Sequence, residues 1–208
     1  MNTSVFNDNS ERYEAWFERN PAVYRSELAA IKALLPEDDK VLEIGVGSGL
    51  FAAPLGIRIG IDPSTAMLDK ARARGIEVVR GVAEALPFPD QSFATALMVT
   101  TICFLDDVEL ALAEAHRVLS PGGAFLIGFI DKDSPIGRAY QSEKERSLFY
   151  RNATFYATPE LAGYLMQAGF SNLQYVQTLF HPLSEITSVE PVKDGYGTGS
   201  FVVIKAEK

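Results

Sequence analysis

Residues 41–49 read Val-Leu-Glu-Ile-Gly-Val-Gly-Ser-Gly, and the fold follows from them. Apolar Val41, Leu42 and Ile44 surround one acid, Glu43, and then Gly45, Gly47 and Gly49 crowd together. That is the pattern of a buried strand running into a glycine-rich turn. A second apolar run, Ile-Arg-Ile-Gly-Ile, ends on Asp62. A strand, a glycine turn and an acid closing the next strand make the nucleotide half of a doubly wound α/β sheet. Glycine lets the backbone approach a ligand, and a carboxylate at Asp62 can accept from both hydroxyls of a ribose. The dinucleotide fingerprint is incomplete, because Leu50 stands where a small third residue is wanted.

Outward from this stretch the chain alternates. Upstream, Tyr13, Trp16 and Phe17 share one helical face, and Tyr24, Leu28, Ile31 and Leu35 continue with steps of three or four. Asn20 and Pro21 read as N-cap and first residue of the second helix, so residues 1–37 are expected to form a helical cap. Downstream, Gly49 to Leu55 leaves room for a brief helix ended by Pro54 and Gly56. Ser64 caps a helix that Gly75 stops, and residues 76–81 form the third strand, delivering Val82, Ala83 and Glu84 to the carboxyl edge of the sheet. A turn at Asp90-Gln91-Ser92 leads into a fully apolar fourth strand, residues 94–99, beyond which Thr100, Thr101, Ile102, Cys103 and Phe104 sit where open α/β sheets bind ligands.

Asp106 to Leu119 reads as an amphipathic helix closed by Ser-Pro-Gly-Gly, and residues 123–130 as the fifth strand, with Asp131 at its end. Residues 132–157, rich in aromatics and arginines, are expected to be a lid containing a helix; the competing view is an aromatic-packed surface insertion. Thr158 caps a further helix with Pro159 at its first position and Gly169 at its end. Residues 170–180 and 199–206 supply the last two strands. The expectation is one domain over residues 1–208: a Rossmann-like, seven-stranded sheet, mostly parallel, with an antiparallel last strand.

Several segments carry a family resemblance. Glu43 directly ahead of G-x-G-x-G resembles motif I of the class I methyltransferases that use S-adenosylmethionine. Residues 13–24, YEAWFERNPAVY, resemble the aromatic segment that closes over the cofactor in many small-molecule members. Residues 81–98, GVAEALPFPDQSFATALM, resemble the adenine-reading segment, and residues 114–123, EAHRVLSPGG, the family's E-x-x-R-V-L-x-P-G-G run. The likeness covers nearly the whole chain and is to the small type 11 group.

That resemblance implies S-adenosylmethionine at the carboxyl edge: Glu43, Gly45 and Gly47 at the amino-acid tail, Asp62 on the ribose, Ala83 and Glu84 at the adenine, and Thr100 near the sulfonium. Gly49, Pro63, Val82 and Thr101 complete the cofactor-binding set. Met67 is open between an adenine contact and the core, and Glu84 between the adenine amine and a solvated charge at a helix start. Tyr13, Trp16, Phe17, Phe104, Asp131 and Tyr140 are the candidates for the acceptor; for Trp16, packing onto the sheet competes with roofing the ligand.

Composition narrows the function. A net charge of −8 with no basic stripe argues against a nucleic-acid substrate. The start has no positively charged leader, and no stretch approaches the roughly 18 apolar residues of a membrane span, so a cytoplasmic protein is expected. The single cysteine, Cys103, and two distant histidines, His116 and His181, offer no metal-ligand spacing. Cys103 has no evident partner base and His116 falls on a helix away from the ligand edge. No general base stands out, and methyl transfer from an activated donor needs none. The expected activity is transfer to a small-molecule acceptor, with an amine nitrogen as one option. The alternatives are a cofactor-binding protein of the same fold without transfer, and an NAD-dependent oxidoreductase, which Leu50 disfavours. The acceptor and the oligomeric state are not legible.

Overall fold

Every residue of the first strand is buried, which is why its apolar run is broken only by Glu43. The computed structural model describes residues 4–37 and 40–208. Among these, one sheet contains β1 (Val41–Ile44), β2 (Ile59–Asp62), β3 (Glu77–Arg80), β4 (Phe93–Val99), β5 (Leu119–Ile130), β6 (Ser171–Thr178), β7 (Lys193–Asp194) and β8 (Phe201–Glu207). Their order is β3-β2-β1-β4-β5-β8-β6-β7. The first five strands are parallel, while β8 runs antiparallel to both β5 and β6. The sheet has eight strands, one more than expected, because the two-residue β7 adds an edge too short to leave a pattern.

The helices are α1 (Ser4–Asp8), α2 (Ser10–Arg19), α3 (Pro21–Leu34), α4 (Thr65–Ala73), α5 (Val108–Val118), α6 (Pro135–Ser142) and α7 (Thr158–Gln167). Strand residues alternate between two cores. Phe125, Ile127, Val202 and Ile204 face one side with α5 and α7, and Leu126, Phe201 and Val203 face the other with α3. No helix among the described residues is long and apolar enough to cross a membrane.

Four local expectations give way, each for a physical reason. The brief helix over 49–55 is a succession of turns, with Ile57 N–H reaching Ala52 O at 2.9 Å. Pro54 lacks an N–H, and Gly49 and Gly56 have φ of +82° and +74°, so regular helix cannot run through. Asn20 precedes α3 but does not cap it; its side chain donates to Trp16 O at 2.7 Å and finishes α2 instead. Ser-Pro-Gly-Gly does not separate helix from strand, since β5 already begins at Leu119 and absorbs the segment through a register shift opposite Phe93 and Thr95. Thr158 is the first residue of α7, not its cap, because its hydroxyl and N–H are taken by Asp131; Ala157 holds the cap position.

Helix α1 was not anticipated, and it closes the N-terminal cap onto the sheet. Asn7 Oδ1 accepts from Ser64 Oγ at 2.8 Å and Ala66 N at 3.2 Å, at the start of α4. Glu14 of α2 pairs with Lys70 at 3.1 Å and Arg74 at 2.8 Å. Helices α1 and α2 are thus latched to the helix that follows Asp62; residues 1–3 of the cap expected over 1–37 lie outside the described ones.

Candidate functional site

The strand order reverses between β1 and β4, and their carboxyl ends part there, leaving a groove of the kind that takes ligands in open α/β sheets. The turn after β1 forms its floor. A Cβ on Gly45 would stand 2.3 Å from the Thr101 side chain, so glycine is required for the turn to close on the loop after β4. Gly47 has φ +52° with open space where a Cβ would be, and its N–H donates to Asp62 Oδ2 at 3.0 Å. Ser64 N–H takes the other oxygen at 2.8 Å. Burial pushes the Asp62 carboxyl up to about 6 against these two donors. Each oxygen keeps lone-pair capacity toward the groove, as a ribose diol requires.

The groove holds about 630 Å³ of atom-free space counted out into its mouth. Gly45, Gly47, Asp62, Pro63, Met67, Ala83, Thr100 and Thr101 all line it. Four other cofactor candidates stand back from it. Glu43 is 1 % exposed behind the glycine turn, with Oε2 unpaired; burial, and then the charge of Asp62, holds its carboxyl well above the usual range. Gly49 packs the turn against α4 and the residues that follow it, where a Cβ would meet Ala71 at 3.3 Å and Ile76 at 2.4 Å. Val82 forms a bridge with Ala85. Glu84 Oε1 accepts the N–H groups of Asp106 at 2.9 Å and Asp107 at 3.4 Å, tying two loops together.

Thr100 is the neck of the site. It has φ +50°, a conformation a β-branched residue adopts only where its surroundings impose it. Its N–H is fixed by Gly128 O at 2.8 Å, and its side chain lies within hydrogen-bonding reach of the Tyr13 phenol. Thr101 Oγ1 lies 3.2 Å from Gly45 O and 3.0 Å from Val99 O, locking the neck to the glycine turn.

Past the neck a second, larger cavity opens, about 1300 Å³ out to its mouth. It shares Phe6, Tyr13, Thr100 and Phe104 with the groove. Trp16 and Phe17 line it from the cap, Tyr140, Phe149 and Tyr150 from the 132–157 segment. Rings knit the two covers together: Phe6 meets Phe104 at 5.2 Å and Phe149 at 5.5 Å, while Tyr150 stacks on Phe104 at 5.7 Å and on Tyr140 at 5.1 Å. Arg12, Arg19, Arg146 and Glu143 stand exposed around the mouth.

Asp131, the remaining acceptor candidate, lines neither space. Its carboxylate accepts from Thr158 N–H at 2.9 Å, the Thr158 hydroxyl and Asp133 N–H at 2.7 Å, joining β5 to α7. Cys103 lies behind the neck, buried, its thiol pushed up to about 12 by desolvation. His116 packs on Phe170 at 5.1 Å, on the α5 side of the sheet. Among the described residues no group of three or more His, Cys, Asp or Glu is placed to hold a metal ion.

Sequence reasoning passed over two residues here. Phe6 is placed by the α1 latch, which has no local signature. Glu27 lines the second cavity from α3, and its signal was present: an acid on the apolar stripe between Tyr24 and Ile31.

Comparison with known proteins agrees with this geometry. A family described as a methyltransferase domain matches residues 42–127, from β1 into β5. The chain is 51% identical to a structure from Thermotoga maritima, a SAM-dependent methyltransferase and possible histamine N-methyltransferase, covering 98% of each chain with a TM-score of 0.96. An uncharacterized protein of Methanocaldococcus jannaschii is 42% identical over 99% of both chains. The fold is also that of a Haloferax volcanii putative methyltransferase solved with its methyltransferase activator, at 19% identity and a TM-score of 0.72 over 100% of this chain and 98% of that one. The groove's open Gly47 cradle and the spare lone pairs of Asp62 fit the adenosyl cofactor named for the Thermotoga structure. The chain belongs to the S-adenosylmethionine-dependent methyltransferases, and S-adenosylmethionine is its methyl donor.

Proposed function

We propose that the enzyme methylates the nitrogen of a small-molecule amine held in the aromatic cavity. One observation carries this: the groove above the glycine turn and the aromatic chamber share Phe6, Tyr13, Thr100 and Phe104 as lining residues, so they meet at Thr100. When bound, S-adenosylmethionine supplies a methyl carbon already activated by a positive sulfur. In the groove, Asp62 would take the ribose hydroxyls, and the backbone of Gly45 and Gly47, with Glu43 beneath, the amino-acid tail. Met67 and Ala83 would flank the adenine, with Pro63 beside Asp62 and Val82 and Glu84 shaping that wall from behind. Gly49 and Thr101 would keep the turn in place, and Thr100 would stand beside the reacting carbon.

Alignment of donor and acceptor can supply up to about 7–11 kcal/mol of barrier lowering, so no side chain need act as nucleophile. The raised Cys103 thiol would not serve at neutral pH in any case. Aromatic faces attract cations, and a desolvating chamber lowers an amine's pKa toward the neutral, reactive form. The name of the Thermotoga relative supports an amine acceptor. The net charge of −8 supports a small molecule over a nucleic acid.

The test is methyl transfer from radiolabelled S-adenosylmethionine to a panel of arylalkylamines, alcohols and thiols. Labelled amine products are expected. Label appearing on alcohols or thiols alone would overturn the amine assignment, and cofactor binding without product on any acceptor would overturn the small-molecule transfer.

A further inference from the structure

Glu27 occupies the middle of α3, on the stripe that carries Tyr24 and Ile31, where an apolar side chain would ordinarily pack. It is 4 % exposed and lines the aromatic cavity. Among the described residues its carboxylate meets neither a hydrogen-bond donor nor a cation; desolvation alone acts on it. Unlike the sealed Oε2 of Glu43, its oxygens keep contact with open cavity space.

Burying a carboxylate without a partner is costly, and such a cost persists where function requires it. No described residue supplies the missing partner, and the open cavity beside it is where a ligand would. The cavity walls favour one charge: the rings of Tyr13, Trp16, Phe17, Phe104 and Tyr140 line it, and aromatic faces attract cations and repel anions. Resting on the amine-acceptor reading above, we propose that Glu27 binds the acceptor's ammonium group and takes the proton that frees its nitrogen for attack.

The step balances. An N–H bond of the ammonium breaks, the proton passes to a Glu27 oxygen, and nitrogen keeps the electron pair. That pair forms the N–C bond as the carbon–sulfur bond breaks, its electrons remaining on sulfur. The product leaves as a methylated ammonium, and Glu27 returns its proton to water at the mouth. Facing Glu27 are Tyr13, Arg12 and Arg19 from α2, and Tyr140, Glu143, Arg146 and Tyr150 from the 132–157 segment. Burial raises the three phenols, with the Glu27 charge next after it for Tyr13 and Tyr140 and a lesser contribution for Tyr150, so they stay neutral through the working range. The three guanidinium groups are exposed at the mouth, where water and salt screen them, and do not substitute for the missing cation.

The experiment compares wild type with Glu27→Gln, which keeps shape and removes charge, using histamine and 2-phenylethylamine as acceptors over a range of pH. Burial pushes the Glu27 carboxyl up to about 8, so wild-type kcat/KM should rise through that pH as the carboxylate forms. Glu27→Gln should lower kcat/KM about 100-fold and flatten this limb, while leaving S-adenosylmethionine affinity within about twofold. Glu27→Asp should recover part of the activity and restore the limb. Glu27→Leu should melt higher than wild type, because it removes an unpaired buried acid; a purely structural Glu27 would make it melt lower. A Glu27→Gln enzyme within about threefold of wild type, with its limb intact, would sink the proposal while leaving amine methylation standing. If wild type methylates neither these amines nor any other, the acceptor reading itself has failed and this one falls with it.

Discussion

The cofactor groove and the aromatic chamber touch at Thr100 yet are built in opposite ways. The groove is framed by backbone: a glycine turn, two N–H groups aimed at Asp62, and a neck held by Gly128. The chamber is mostly side chain, assembled from the cap, the residues after β4 and the 132–157 segment. A backbone site demands particular residues at fixed spacing and tolerates almost no change. A side-chain site needs only rings of the right size in the right places, so its occupant can change while the donor stays the same. Substitutions in the groove should therefore act on cofactor binding, and those in the chamber on the acceptor.

The largest effect is expected where turn and neck close on each other. Gly45→Val adds a branched side chain at φ +75° where a single Cβ would already sit 2.3 Å from Thr101. Urea denaturation should show a loss of roughly 3 kcal/mol, combining left-handed strain with overpacking. Gly47→Ala sharpens the contrast, since its Cβ meets nothing within 4 Å. It should cost only about 1 kcal/mol of stability, yet markedly weaken cofactor binding in calorimetry. Unaltered affinity in Gly47→Ala would show that the ligand does not use this cradle.

Next in size is Asp62→Ala, expected to weaken S-adenosylmethionine binding by about 1–3 kcal/mol, the scale of hydrogen bonds to a charged group. For the wild type, affinity should also fall as pH drops through about 6, where the buried carboxylate takes a proton. The same shift governs stability without ligand. The folded values of Asp62 and Glu27, about 6 and about 8, lie above their ordinary ones of 3.8 and 4.5. The folded state thus binds those protons more tightly than the unfolded chain does. The stabilisation is complete at the acid end and is lost as pH rises through each folded value. The cofactor-free enzyme should melt lower at about pH 8.5 than at about pH 5, and Glu27→Gln should reduce the difference. A melting temperature that climbs over that interval would contradict the burial of both acids.

How much of this was legible follows the same division. Gly45, Gly47 and Asp62 could be read because a turn's geometry is set by neighbours in sequence. The strands could be read because period-two burial and unbroken apolar runs are local signals. Glu84 shows the limit: its segment is legible in sequence, but the contacts of its Oε1 with the Asp106 and Asp107 backbone are set by tertiary approach and leave no local signal. Asp131 likewise looked like a ligand-edge acid until α7 docked Thr158 against it. In the chamber, Tyr13, Trp16, Phe17, Phe104 and Tyr140 were identified as rings, but nothing in sequence indicated that Phe6 would join them from α1. Glu27 was overlooked for another reason. The apolar members of its stripe dominate the helical pattern, although an acid among them conflicts with that pattern, and such conflicts are where functional groups are expected.

A smaller effect, confined to the chamber, is expected of Trp16. It is half-buried, meets Phe17 edge-on at 5.0 Å, and lines the cavity beside Tyr13. Trp16→Ala should lower kcat/KM for the acceptor about tenfold and leave cofactor affinity unchanged. Its stability cost should fall below the roughly 3–5 kcal/mol typical of a fully buried tryptophan. A full core-sized loss with normal turnover would reassign Trp16 to packing and shrink the chamber's cover to the 132–157 segment.

The smallest effect is expected at the residue that most resembles a catalytic group on paper. Cys103 lies one layer behind Thr100, with Sγ 3.4 Å from the Thr100 carbonyl oxygen. Desolvation raises its thiol to about 12, so at neutral pH the nucleophilic thiolate is scarcely populated. Its environment is that of a small apolar residue filling space beneath the neck. Cys103→Ala should cost about 1 kcal/mol of stability through the cavity it leaves, and turnover should stay within about twofold of wild type. Thiol alkylation of the folded enzyme near neutral pH should be slow and should track unfolding. A large fall in kcat with stability and both affinities intact would mean the neck does chemistry as well as alignment, and the division between a groove that grips the donor and a chamber that presents the acceptor would have to be redrawn around Cys103.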